Sequence, residues 1–168
     1  MSAFNEVEEI FKRDAWFRWR YNIRLQAATA EYWLSQGNLA KAQEFAERLL
    51  ETATHHEAHK YIAVAHNLLA QVAQASGDRA EAEKQFAAAL EELRQYPGPV
   101  VAWKIYKELG RLRLQLGDRP SAQEAFAHAN EIVNSIAANI SDERLQTTFL
   151  NSTAVREVVN GAARGAVS

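Results

Sequence analysis

The chain has no cysteine, one methionine, three prolines and seven glycines among its 168 residues. The absence of Cys removes disulfides, thiolate metal sites and Cys nucleophiles together, and fits a reducing compartment. No stretch approaches the roughly eighteen unbroken apolar residues that a membrane span needs. The N-terminus, Met-Ser-Ala-Phe-Asn-Glu-Val-Glu-Glu, is acidic where a secretion signal would be basic and then apolar. The expected location is therefore cytoplasmic, and the two Asn-x-Ser/Thr sequons at Asn139 and Asn151 read as coincidence. A net charge of −2 implies no general attraction to nucleic acid or to an anionic membrane. The glycines form no phosphate-binding loop, dinucleotide fingerprint or nucleophile elbow. No Ser, His and Asp fall in a catalytic arrangement either. The expectation is a protein that is not an enzyme and holds no cofactor.

What is present is a period. Gly37-Asn38, Gly77-Asp78 and Gly117-Asp118 stand forty residues apart. Each is followed by an Ala five residues after the Gly (Ala42, Ala82, Ala122) and then by an aromatic (Phe45, Phe86, Phe126). A fixed interval of this size marks one helical hairpin that repeats and stacks on its neighbours. Helical spacing agrees: Trp16, Trp19, Ile23, Ala27, Ala30 and Leu34 share one face, as do Ala42, Phe45, Ala46, Leu49 and Leu50. Gly ends the first helix of each pair because it tolerates the left-handed C-cap conformation. Pro97-Gly98-Pro99 is the strong interior breaker, and Pro120 suits a helix first turn. Hairpins are expected at about 14–54, 57–96 and 100–138. A C-terminal cap follows at 141–160, N-capped by Ser141, with Leu145, Phe149 and Leu150 on one helix and Val155, Val158 and Val159 on the next. Residues 161–168 are small and unpatterned and read as a frayed tail. The expected fold is an all-α solenoid of three hairpins forming a single domain over 1–160, with an N-terminal helix and C-terminal capping helices.

The third copy reads Tyr106-x-x-Leu109-Gly110, Gly117-Asp118, then Ala122-x-x-x-Phe126-x-x-Ala129. It resembles the tetratricopeptide repeat. The second copy keeps Leu69, Ala70, Gly77-Asp78, Ala82, Phe86 and Ala89; the first keeps Ala30, Gly37-Asn38 and Ala42, with Phe45 one place early. The period exceeds the family's usual thirty-four residues by six, assigned to the joints around Thr54-His55-His56 and Tyr96-Pro97-Gly98-Pro99. Longer repeats of this kind, closing on Ala137 through Ile140, Asp142 through Leu145, Phe149-Leu150 and Val155-Arg156, resemble the C-terminal arrays of large bacterial signalling proteins, among them ATPase-type transcription regulators and cyclases. The resemblance implies a module that offers a concave groove to a peptide or protein. Its alternative implication is a regulatory array of such a larger protein.

By register with the family, the groove positions are Arg24 and Glu31, then Asn67 and Gln71, then Lys104, Lys107 and Arg111. The last three also share a helix face by spacing alone, a basic end suited to a carboxylate or an acidic peptide. The family's carboxylate clamp does not carry over. Lys104 matches one of its positions, but Ala27, Glu31, Leu68 and Glu108 stand where Lys, Asn, Asn and Arg would be expected.

Two other clusters have plainer readings. His55 and His59 are four apart and, on one helix, could share a metal with His56 and His66 nearby; the joint between hairpins makes them solvated residues instead. The run Trp16-Phe17-Arg18-Trp19-Arg20-Tyr21 mixes aromatic and basic residues as nucleic-acid binders do, yet its helical stripe reads as core with a charged rim. Finally, Phe4, Val7, Ile10 and Phe11 form a stripe in the slot of a half hairpin. That edge is expected to meet upstream sequence or a second copy of the chain.

Overall fold

The computed structural model describes residues 18–163. The edge residues Phe4, Val7, Ile10 and Phe11, together with Trp16 and residues 164–168, lie outside the described residues. Among those described, eight helices form the structure, and the fold class is the all-α, hairpin-repeat type that the period predicts. They divide into two compact units at Tyr96 and Pro97.

The first unit holds α1 (Arg18–Ser35), α2 (Leu39–His55), α3 (His59–Ser76) and α4 (Arg79–Gln95). Each hairpin turns on two residues with separate tasks. Gly37 and Gly77 adopt φ of +70° and +85°, which ends the first helix. The Asn or Asp that follows caps the second: Asn38 Oδ1 accepts from the Lys41 amide at 3.2 Å and Asp78 Oδ1 from the Glu81 amide at 3.1 Å. Between hairpins, residues 56–58 suffice, with Glu57 at φ +50°. The surplus over the usual repeat therefore lies in long helices of 17 and 18 residues rather than in the joint.

The core of this unit is small-residue packing around a few large side chains. Ala30, Ala46, Leu49, Ala65 and Leu68 are closed to solvent, with Ile23 beside them. Ala46 occupies the slot that Phe86 fills one period later, and Phe45 packs half-buried at the margin of the core. Replacing Ala with a large side chain in such a contact would push the helices apart. Trp19 lies at the same margin, its ring stacked on His56 at 4.5 Å with the Arg20 guanidinium 5.2 Å from it.

The second unit holds α5 (Pro99–Gln115), α6 (Arg119–Ala138), α7 (Glu143–Leu150) and α8 (Thr153–Ala163). Pro99 stands in the first turn of α5; Asp118 caps α6 through the Ser121 amide at 3.1 Å. Trp103, Ala129, Val133, Val155 and Val158 make its core, with Phe149 meeting Trp103 edge-on at 6.4 Å.

Three details differ from the sequence reading. Asp142, not Ser141, caps α7, accepting from the Leu145 amide at 2.9 Å; its carboxylate also complements the helix dipole. Leu145 is 61% exposed, and the apolar contacts of α7 are made by its end, Phe149 and Leu150. The last helix continues through Gly161 to Ala163. Gly161 is held there by close packing: a Cβ built on it would lie 2.5 Å from Phe126 Cγ. A Cβ on Gly110 would likewise lie 2.8 Å from Cε2 of the same ring. Two glycines thus let α5 and α8 close on one buried ring.

Candidate functional site

The residues proposed for the groove sit on the first helix of each hairpin, as the register requires. In the first unit Arg24 and Glu31 are exposed on α1, and Asn67 and Gln71 are half-buried on α3. Asn67 Oδ1 is shut off from solvent and has no protein hydrogen-bond partner. On α1, Gln26 Oε1 and Thr29 Oγ1 share that condition, and Gln26 Nε2 reaches Thr52 Oγ1 at 3.3 Å. Thr29 occupies the position of Leu69 and Leu109 in the other repeats, so the first hairpin buries a hydroxyl where the other two place hydrocarbon.

In the second unit the three cations have different surroundings. Lys104 is exposed, its ammonium 5.9 Å from the Trp103 ring. Lys107 is held at 2.8 Å by its neighbour Glu108. Arg111 Nη1 donates to Glu108 at 3.0 Å, and its Nε and Nη2 engage both carboxylate oxygens of Glu157, the second at 2.6 Å. Lys107, Glu108, Arg111 and Glu157 therefore alternate in sign and balance one another. The hydrogen bonds that it donates to Glu157 hold the Arg111 guanidinium firmly protonated, above its ordinary range, against the opposing effect of partial burial. The fork geometry of the pair is the strong form of such contacts.

Spacing reveals Glu108, three residues from Arg111, but not Glu157, which lies 46 residues away and arrives only by folding. The Arg111–Glu157 pair borders an open cleft of about 450 Å³ lined by Arg111 and Leu114 of α5, Phe126 of α6, and Thr153, Arg156, Glu157, Asn160 and Gly161 of α8. On α8 these residues recur at three- and four-residue intervals, which is one helical stripe. The sequence reading cut that stripe short by assigning Gly161 to the tail.

The histidines are engaged separately. His55 ends α2 and His59 begins α3, so they do not share a helix. His59 stacks on Tyr96 with ring centres 3.4 Å apart and donates through Nδ1 to Glu92 at 2.6 Å. His66 Nδ1 donates to Gln85 Oε1 at 2.6 Å. Among the described residues no three His, Cys, Asp or Glu side chains gather as metal ligands do. No described helix is long and apolar enough to cross a membrane.

Residues 61–135 match the family model of the tetratricopeptide repeat. These residues belong to the tetratricopeptide repeat family. The matched segment runs from α3 to α6, covering the second and third hairpins, whose Gly-Asp turns, Ala and Phe positions carry the pattern. A crystal structure of BtubC (BKLC) from P. vanneervenii is similar over 95% of this chain, with a TM-score of 0.64 and 20% sequence identity. At that identity the likeness is one of fold. The alignment covers 66% of the BtubC chain. A search among curated proteins found no match.

Proposed function

We propose that the chain is a non-enzymatic protein-protein interaction module, each unit presenting the inner face of its first-in-hairpin helices to a peptide or protein partner. The tetratricopeptide match over residues 61–135 carries this reading, because repeats of this family are generally scaffolds whose partner-binding chemistry lies on that face. The side chains available support it. Arg24, Glu31, Asn67 and Gln71 offer charge and amide groups in the first unit, and Lys104 adds an exposed cation in the second. The partner is expected to be acidic where it meets Lys104, Lys107 and Arg111. The internal pairing of Lys107 and Arg111 reduces the net charge there, so binding draws on exchange of partners within the network rather than on three free cations.

The test uses the intact chain to isolate a polypeptide partner, then measures its affinity with both proteins purified. Lys104→Glu combined with Lys107→Gln should abolish binding of an acidic partner while helical circular dichroism stays unchanged. Affinity should also fall with added salt, since exposed charges are screened over about 10 Å at 0.1 M. A partner that binds the double variant equally well, at any salt, refutes the inner-face reading.

A further inference from the structure

The cleft beside α8 has a use that its ion pairs do not exhaust. Arg111 is occupied by Glu157 and Glu108, but Arg156, beside Glu157 on α8, is exposed, and among the described residues its side chain makes no hydrogen bond or ion pair. A guanidinium offers five donors in a planar fork. Asn160, four residues on, and Thr153, three back, place an amide and a hydroxyl on the same stripe; both line the same cleft, and among the described residues neither side chain has a hydrogen-bond partner. Against these polar groups stand Leu114, 46% exposed, and the small part of Phe126 that reaches the lining. Because the Lys107–Glu108–Arg111–Glu157 network is balanced, Arg156 leaves the cleft with one uncompensated positive charge.

We propose that this cleft binds a short extended acidic peptide segment, its apolar side chain against Leu114 and Phe126 and the adjacent carboxylate on Arg156, assisted by the Asn160 amide. The size fits. A volume of about 450 Å³ lies within the range of roughly 300–1,000 Å³ usual for ligand pockets. It is less than half the roughly 1,000 Å³ that two turns of a helix some 11 Å wide would fill, which favours an extended segment. Arginine and carboxylate meet in a bidentate, charge-assisted pair, and the apolar half supplies burial that a bare anion could not use. The inference rests on the protein-binding reading above and assigns to it a place and a ligand class.

The probe is a fluorescein-labelled, amidated Ala-Leu-Asp-Ala peptide, titrated with the full chain by fluorescence polarisation. Saturable binding is expected. Its Asn analogue should bind at least about tenfold more weakly, the loss of one charge-assisted pair. Arg156→Gln should weaken the Asp peptide by a similar factor and leave the Asn analogue unchanged. Lys84→Gln should change either affinity by less than about twofold, because Lys84 is exposed on α4 and outside the cleft lining. Should Arg156→Gln lower the melting temperature, Asn160→Asp provides the second variant: a carboxylate set in the cleft must also weaken the Asp peptide.

Absence of binding at millimolar peptide overturns the proposal, as does equal binding to wild type and Arg156→Gln. Displacement of the probe by acetate at the peptide's own concentration would show that the apolar half adds nothing, and would equally remove the peptide assignment. If the probe fails while a full-length partner still binds the chain, this cleft is excluded and the broader reading stands. If the intact chain binds no polypeptide at all, both fall.

Discussion

Gly161 sets two physical arguments against each other, and a single substitution separates them. Gly161 lies within α8, and replacing a helical Gly by Ala gains about 0.8–1.0 kcal/mol from helix propensity alone. An exposed helix end would show that gain. Here the added methyl would lie 2.5 Å from Phe126 Cγ and 2.7 Å from Cδ1 and Cδ2. These are the root atoms of the ring, not the end of a flexible chain, and Phe126 is only 3% exposed. The ring has little room to shift, because it is buried and Gly110 already approaches its Cε2 and Cζ. Overpacking of this kind costs about 1–3 kcal/mol. Gly161→Ala is therefore expected to destabilise the second unit by roughly 1 kcal/mol once the propensity gain is set against the midpoint of that cost. Asn160→Ala, exposed one position earlier, should be neutral or slightly stabilising and serves as the control. Urea unfolding followed by circular dichroism gives the sign. Amide hydrogen exchange locates it, since α8 should lose protection before α3 and α4 if its seat on α6 is disturbed. A Gly161→Ala protein with a raised urea midpoint and unchanged exchange in α8 would refute the packing argument.

Thr29→Val should stabilise the first unit by about 1 kcal/mol, because it replaces a 2%-exposed hydroxyl without a partner by a methyl of similar size; a lowered urea midpoint would show that Oγ1 is satisfied in solution. Asp118→Asn should flatten the acid limb of stability. The Ser121 hydroxyl and amide hold the Asp118 carboxyl below its ordinary range, so its contribution is present above the unfolded value near 4 and is lost as pH falls through the depressed folded value. Asn keeps an acceptor for the Ser121 amide but does not titrate, so parallel melting curves for the two proteins between pH 5 and pH 2 would refute this.

Much of this protein is local and so was legible in the sequence. A Gly that ends one helix and an Asn or Asp that caps the next act within four residues of the chain, and the forty-residue interval of that pair located every hairpin turn. Helical periodicity identified part of the core, including Ile23, Ala46, Leu49, Val155 and Val158. Register with the tetratricopeptide repeat, which the sequence resembles, put the seven proposed groove residues on the first helices. The electrostatics of those residues depends on partners that spacing does not reveal. Lys104, Lys107 and Arg111 read alike as a basic stripe, but Glu157 comes from 46 residues away to bind Arg111. Its arrival depends on how α8 sits against α6, a matter of side-chain shape at Phe126. The same contact makes Gly161 part of a helix, where its composition alone suggested a tail. Capping and periodicity are properties of a few neighbouring residues; charge balance and the cleft beside Arg156 are properties of helices brought together, and only the tertiary structure decided them.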